Sequence, residues 1–550
     1  MKEGPLAKVV LFGERGDHMK KPVTKGATLA LGLSLAAGAC AAQTPTAIQS
    51  RPQLVVLIAV DQMRGDLVDR YAGIYTGGFR RFLDHGYRFS VASHAHANTE
   101  TAAGHATIST GVFPSRSGIV SNNWDERTAD TWAPMYALGD SLSPVLGVEG
   151  MPGRSPKNLL RSGLADWVLA ADPQARAVSL SSKDRAAITL AGHSRAETYW
   201  IAPTLARFVT STYYRSAYPD WVTRFNETRM LEIVADSAWI QSVPESQRGL
   251  ARPDSAAYEY DGIHTAFPHL AWLESDSSRP SRNAWALGAQ PRADRAVQLL
   301  AQEAVKALDL GQRGRVDYLG LSFSSTDYVG HAFGPYSQEQ LENLMHLDRQ
   351  LGELFAFLDR EVGEGRWVAG LTADHGVMTM PEHLVSSGED LAARRIDPAA
   401  VAGGLQAAVT EATGAGGSYD QVAERLARLV EQRGLVAKAY THRELTVGEP
   451  ADSFATFFRN SYYPGRAAGD LSRLGVEVRF GYHHLVSRLT GTAHGSVYWY
   501  DRYVPFLLLG AGVHPGSSGE AVYTVDLAPT LAGLAAIPAP GDLDGKPVYR

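Results

Sequence analysis

The segment Gln53–Arg64, QLVVLIAVDQMR, sets an unbroken apolar run between a glutamine and an aspartate. A strand with one face in water alternates apolar and polar residues. A run without alternation has to be buried on both faces, the condition of a parallel sheet covered by helices. Val316–Asp327 (VDYLGLSFSSTD) and Arg366–Gly376 (RWVAGLTADHG) follow the same order of apolar run, small residues and acid, and Tyr503–Gly510 (YVPFLLLG) is a fourth apolar run. Between them, Arg292–Leu310 and Ser337–Arg360 carry helical patterns, the second with apolar residues three and four apart. The alternation predicts an α/β fold with a mostly parallel central sheet flanked by helices.

Two stretches break this rhythm. Residues from about 186 to 290 are rich in Tyr, Trp, Arg, Ser and Pro, and residues from about 380 to 490 hold the helical SYDQVAERLARLVEQRG and a polar, Tyr-rich stretch. Both are expected as insertions packed around the sheet and its rim, and 550 residues suit one large core with such insertions. The net charge of −6 comes without a long basic run, which removes the electrostatic footprint of a nucleic-acid binder.

Before the first strand, Met19-Lys20-Lys21, Lys25 and ATLALGLSLAAGACAA form a charged region, an apolar region and a small-residue end. That is the build of a secretory signal over residues 19–42, too short for a comfortable membrane span. Cleavage near Ala39–Ala42 leaves a catalytic domain over 43–550 with no membrane span, exported to the periplasm or secreted. Residues 1–18 fit no signal design and read as an extension, with Met19 the favoured initiator. Cys40, the single cysteine, is a candidate for lipid attachment, with loss by cleavage the favoured reading. Oligomeric state is left open.

In open parallel sheets, ligands bind beyond the carboxyl ends of the strands. Asp61, Asp327 and Asp374 are expected there. His331 follows Asp327 by four residues, His375 follows Asp374 directly, and His494, in GTAHGS, shortly precedes the fourth run. Taken singly, each acid reads as a helix cap and each histidine as a surface residue. Together, three carboxylates and three imidazoles suit two zinc-like ions with three protein ligands each. A further segment, HANTETAAGHATISTG (His96–Gly111), packs four threonines and two histidines together. On residue types alone it is either a nucleophile segment or a polar turn entering a helix.

The motifs VDQMRGD, TAAGHATISTG, SGIVSNNW, SSKDR, SSTDYVGHAFGP, TADHG, GTAHG and YTVDLAPTLAGLAAIPAPGDLDGKPV occur in this order from about residue 52 to 550. In them the chain resembles the alkaline phosphatase superfamily, in the branch that holds nucleotide pyrophosphatases/phosphodiesterases and PafA-type bacterial phosphate monoesterases. The resemblance implies an alkaline phosphatase-like fold with two Zn2+. Asp327, His331 and His494 would hold one ion, and Asp61, Asp374 and His375 the other. Thr101 falls at the nucleophile position and would be coordinated directly, becoming a covalent phosphothreonine during turnover. Asn122 matches an asparagine that donates to a phosphoryl oxygen, with Asn123 the less favoured choice. Lys183 and Arg185, two residues apart in SLSSKDRAAI, match a cation pair of the monoesterase branch, and the second charge of a monoester is what such a pair recognises. An extended segment would turn both to one side. The implied substrates are small phosphate monoesters; the alternative is a phosphodiesterase or nucleotide pyrophosphatase with the same metals. The commoner family motif has Pro where this chain has Ala103. Sulfatase and phosphonate-hydrolase branches usually use a cysteine-derived nucleophile, and none exists here beyond the leader. A degenerate, non-catalytic scaffold would lack ligand types that this chain retains.

Other residues receive plainer readings. His105 is expected to support the nucleophile loop, His94 and His96 to be partly exposed, His483 and His484 to lie at the surface or in packing, and Asp526 to cap a C-terminal helix. Glu100 and Asp66 have no assigned role.

Overall fold

The run Leu54–Val60 is strand β1, buried at every position. Leu54, Val56, Ile58 and Val60 enter one apolar cluster, and Val55, Leu57 and Ala59 enter another. Successive strand residues point to opposite faces, so the two clusters are the cores on either side of one sheet. Truncating Leu57 or Ile58 to alanine costs about 2–5 kcal/mol.

The computed structural model describes residues 51–549 except 130, 203–204, 236–237, 271–286 and 488–489. The extension at 1–18, the leader at 19–42, Met19 and Cys40 lie outside the described residues.

The remaining strands of the central sheet are β2 (Tyr87–Ser93), β3 (Ala177–Ser181), β4 (Glu197–Ala202), β5 (Arg207–Val209), β6 (Asp317–Phe323), β7 (Trp367–Thr372), β8 (Phe506–Gly510) and β9 (Gly516–Tyr523). Their order is β9-β2-β8-β7-β1-β6-β3-β4-β5. β1 pairs in parallel with β6 and β7, β6 with β3, β3 with β4, and β9 with β2. Only β8 and the edge strand β5 are reversed among the described strands. The sheet is therefore mostly parallel, as the apolar runs predict.

Helices cover it. They include α1 (Thr101–Thr110), α2 (Asp184–Ala191), α3 (Pro291–Ala307), α4 (Ser325–Phe333) and α5 (Gln338–Leu358). Pro291 opens α3, where a missing N–H is harmless, and the Ser337 hydroxyl caps α5 by accepting from the Gln340 N–H.

Two expectations need correction. The 186–290 stretch is not wholly an insertion, because it contains most of α2 and all of β4 and β5. ETYWIA carries its β character in aromatic and β-branched residues rather than in an aliphatic run, so the strand was hidden. The 380–490 stretch contains α6 (Pro398–Gly414) and α7 (Tyr419–Gln432), which share an apolar cluster with Val436, Ala439, Leu471 and Val476. Ser418 and Gln421 close a capping box at the start of α7. The second correction concerns Asp526, which precedes α8 (Leu527–Leu534). Its carboxylate makes no cap bond to α8 itself; it accepts from the Tyr523 N–H, capping the 3-10 turn Thr524–Asp526 that leads into α8, and from the Lys546 N–H, tying down the C-terminal tail. Among the described residues no helix is long and apolar enough to cross a membrane.

Candidate functional site

Register decides what meets at the rim. Val60 of β1 lies opposite Phe323 of β6, and Ala59 lies opposite Thr372 of β7. Three adjacent parallel strands thus end at one level, and the acids that follow them, Asp61, Asp327 and Asp374, emerge together. β8 runs the other way, with Phe506 opposite Thr372, so the chain entering β8 arrives at the same rim. That reversal brings the GTAHGS loop and His494 to acids that follow strands. β2 delivers the loop that opens α1 at Thr101.

Asp327 and His331 lie in α4, four residues apart, hence on one helix face; His331 Nε2 is 3.2 Å from Asp327 Oδ1. His494 Nε2 lies 3.6 Å from the same oxygen. His375 Nε2 lies 3.5 Å from Asp61 Oδ1 and 3.5 Å from Asp374 Oδ2. Each imidazole has its other nitrogen at a backbone carbonyl. His331 Nδ1 faces Thr492, His494 Nδ1 faces Thr99, and His375 Nδ1 faces Gly376. A proton held on Nδ1 leaves Nε2 as the lone-pair nitrogen, aimed at the carboxylates.

Among the described residues two groups have the spacing of metal ligands: Asp327, His331 and His494, and Asp61, Asp327 and His375. The first is the set expected. The second has Asp327 where Asp374 was expected. Lys183 Nζ explains the difference, since it lies 2.6 Å from Asp61 Oδ2 and 2.5 Å from Asp327 Oδ2 and so draws these two acids together. Asp374 is engaged elsewhere: Oδ1 accepts from the Gln62 N–H at 3.0 Å, and Oδ2 lies 3.0 Å from His105 Nδ1.

The buried donors fit cations. Asp61 Oδ1 and His375 Nε2 are buried without a hydrogen-bond partner, whereas Asp61 Oδ2 pairs with Lys183 and Asp374 Oδ2 lies beside His105. Unpaired buried carboxylates and imidazoles are costly unless a cation meets them. Burial, and then the neighbouring Asp374, push the Asp61 carboxyl well above the usual range, against the pull of Lys183. Burial also opposes charge on Asp327, but Lys183 and His331 outweigh it and hold that carboxyl well below the usual range. Burial, with His375 and His331 close by, keeps His494 neutral.

Thr101 is the first residue of α1 and is 1% exposed. The Ala102 N–H donates to Asn122 Oδ1 at 2.9 Å, which leaves the Asn122 amide NH2 as the outward donor at the helix start. Asn123 is exposed on a separate strand. Lys183 and Arg185 do not share the side of one extended strand, because α2 begins at Asp184 between them. Both still lie near Tyr328: Lys183 Nζ is 4.9 Å from its ring centre, and Tyr136 and Tyr328 favour the Arg185 charge against burial. Arg185 Nε has no hydrogen-bond partner. A cleft of about 800 Å3 adjoins the site, lined by Asn98, Glu100, His494, Arg479, Phe480 and Tyr498 among others.

The structure also gives roles to residues that residue type alone left unassigned. Glu100 Oε2 accepts from Ser121 Oγ and the Asn122 N–H, both at 2.7 Å, and so sets Asn122 against α1. His105 Nε2 meets Ser322 Oγ of β6, which ties α1 to the sheet. Gln62 contacts two of the acids, and no motif spacing marks it. Asp66 accepts from Arg64 and Tyr336, away from the acids. His94 and His96 are fully buried, contrary to expectation, because β2 carries them beneath the TADHG turn; His94 Nε2 meets the Ala373 carbonyl at 2.9 Å. His483 pairs with Asp390, a partner remote in sequence.

Comparison with known proteins gives a consistent picture. Residues 55–490 match the family model described as type I phosphodiesterase / nucleotide pyrophosphatase. The chain is 30% identical to the alkaline phosphatase PhoV of Synechococcus elongatus, over 90% of this chain and 92% of PhoV. It is 29% identical to the alkaline phosphatase PafA of Elizabethkingia meningoseptica, over 94% of this chain and 97% of PafA. The crystal structure of wild-type PafA superposes with a TM-score of 0.78 at 27% identity, covering 91% of this chain and 98% of that one.

Proposed function

The chain belongs to the type I phosphodiesterase/nucleotide pyrophosphatase family, in its PafA-like alkaline phosphatase branch, and is a phosphoric monoester hydrolase; on that premise we propose that it is an exported dizinc enzyme working through a phosphothreonine at Thr101. One observation supports the metal reading: three carboxylates and three imidazoles converge at one rim, where Asp61 Oδ1 and His375 Nε2 are buried without a hydrogen-bond partner. Asp327, His331 and His494 would hold one ion, and Asp61 and His375, with Asp374 beside them, the other. Two zinc ions there would offset the buried negative charge and lower the pKa of a coordinated hydroxyl.

The remaining work falls to the chain itself. The Thr101 hydroxyl, at the positive end of α1, gives up its proton and its oxygen attacks phosphorus as the bond to the ester oxygen breaks in line. Asn122 Nδ2 donates to a nonbridging oxygen, and Lys183 and Arg185 supply the two positive charges that a monoester dianion calls for. The leaving alkoxide takes up a proton. Water then attacks phosphothreonine, releasing inorganic phosphate and restoring the threonine hydroxyl.

The test is turnover of a matched aryl phosphate monoester and diester, with zinc content measured on the same samples, for the parent chain, Lys183→Ala and Arg185→Ala. Each substitution should lower monoester turnover by about 10²–10³-fold and leave diester turnover much less affected. Monoester turnover that survives both changes, or a parent chain that prefers the diester, rejects the monoesterase assignment in favour of a phosphodiesterase with the same metals.

A further inference from the structure

Gln62 directly follows the β1 aspartate and is completely buried. Its φ of 66° lies in the left-handed region, which a residue with a Cβ rarely enters. Non-glycine residues held there persist because their surroundings over-determine them, and they cluster at functional sites. Here the surroundings are two carboxylates. The backbone N–H donates to Asp374 Oδ1 at 3.0 Å, and the side-chain Nε2 donates to Asp327 Oδ1 at 2.6 Å.

These acids follow the two strands that flank β1, so one residue on the central strand grips a carboxylate from each side. Chemistry sets the amide orientation, because an ionised carboxylate only accepts and the NH2 must face it. The fold also reserves space for this side chain. A Cβ at Gly330, next to His331 in α4, would sit 1.9 Å from Gln62 Oε1.

We propose that Gln62 is a positioning residue that couples the two ligand groups. It fixes Asp327 and Asp374 relative to each other, so that the first ion bound finds the second group already oriented. Asp327, assigned to the first ion, also stands within ligand spacing of Asp61 and His375, so it is the carboxylate whose rotation matters most. A carboxylate free to turn has to be ordered at each binding event, whereas one held by a neighbour does not. The inference rests on the two-ion reading above.

The experiment is calorimetric titration of zinc into the metal-stripped full chain, beside Gln62→Gly and Gln62→Glu. Gln62→Gly keeps the backbone donor, suits the left-handed backbone and removes only the amide. Gln62→Glu keeps the shape but sets an acceptor against Asp327. The parent chain should bind two equivalents with positive coupling. Gln62→Gly should lose about 10–100-fold in zinc affinity together with the coupling, while its stripped form melts no lower than the parent and added zinc restores its turnover. Gln62→Glu should bind more weakly still. Parent-like affinity and coupling in both variants overturn the proposal and leave the two-ion reading intact. A lower melting temperature for stripped Gln62→Gly, with no rescue by zinc, makes the residue merely structural and also overturns it. Fewer than two equivalents in the parent chain overturn the two-ion reading and this inference together.

Discussion

Thr101 differs from its neighbours by placement rather than chemistry. Thr99 donates its hydroxyl to the Ser496 carbonyl, Thr107 to Ala103 and Thr110 to Ala106. Each of those hydroxyls satisfies a backbone acceptor. Thr101 stands instead at the helix start, where a partial positive charge favours an anion. Thr101→Ala should therefore lower turnover by about 10³-fold or more while zinc content stays at the parent level. Appreciable residual activity, or unchanged labelling of the chain by radioactive phosphate, counts against the covalent route. Glu100 acts one step back. Glu100→Ala frees Ser121 and Asn122 together, so monoester turnover should fall by about tenfold with little change in zinc content. Turnover equal to the parent would leave Glu100 without influence on Asn122.

At the scale of elements, the site depends on how closely α1 approaches the turn after β7. A Cβ at Gly104 would lie 2.1 Å from the Asp374 carbonyl, backbone that cannot step aside. Gly104→Ala should push the first turn of α1 off the rim, costing about 1–3 kcal/mol in a denaturant unfolding series and lowering turnover as well. Unchanged stability would mean that the helix can slide without cost. The reversed strand β8 is the other element-level device. His494 reaches the acids because β8 enters the sheet at the level where β1, β6 and β7 leave it.

At the scale of the whole molecule, ionisation couples to stability at two separate places. The first is the zinc site. Chelation should abolish turnover and lower the Tm, since ions that bind only the folded state stabilise it by mass action. Zinc should restore turnover better than magnesium, because imidazole suits zinc; full recovery with magnesium alone would contradict the ligand set. The second is a buried acid cluster far from Thr101 in sequence. Burial, and then the neighbouring Asp254, raise Glu339 from its ordinary 4.5 to about 8; burial also raises Glu259 to about 8, against the pull of Arg252. Burial lowers His269 to about 4, so its 2.9 Å contact with Glu339 is a hydrogen bond between neutral groups near neutral pH. A carboxyl whose pKa is raised by folding binds its proton more tightly in the folded state. Its stabilisation is complete below 4.5 and is lost as pH rises through about 8. Glu339→Gln should raise the Tm at pH 9 by about 2 °C or more and flatten the fall in Tm between pH 5 and 9. A fall as steep as the parent's would remove Glu339 as its cause.

The layering and the chemical inventory are legible in the order of amino acids. Apolar runs without alternation allow little but strands covered on both faces, and acids and histidines beside strand ends announce a charged rim whatever the register. Strands made of aromatic and β-branched residues, such as Glu197–Ala202, carry no aliphatic run to mark them. Which atoms meet depends on the folded arrangement. Register brings Asp61, Asp327 and Asp374 to one level, strand reversal brings His494 to them, Lys183 pulls Asp61 toward Asp327, and a left-handed turn at Gln62 joins Asp327 to Asp374. Those contacts span hundreds of residues. Local propensity reaches a few positions along the chain, whereas a bond between distant segments is set by how strands pair and helices pack.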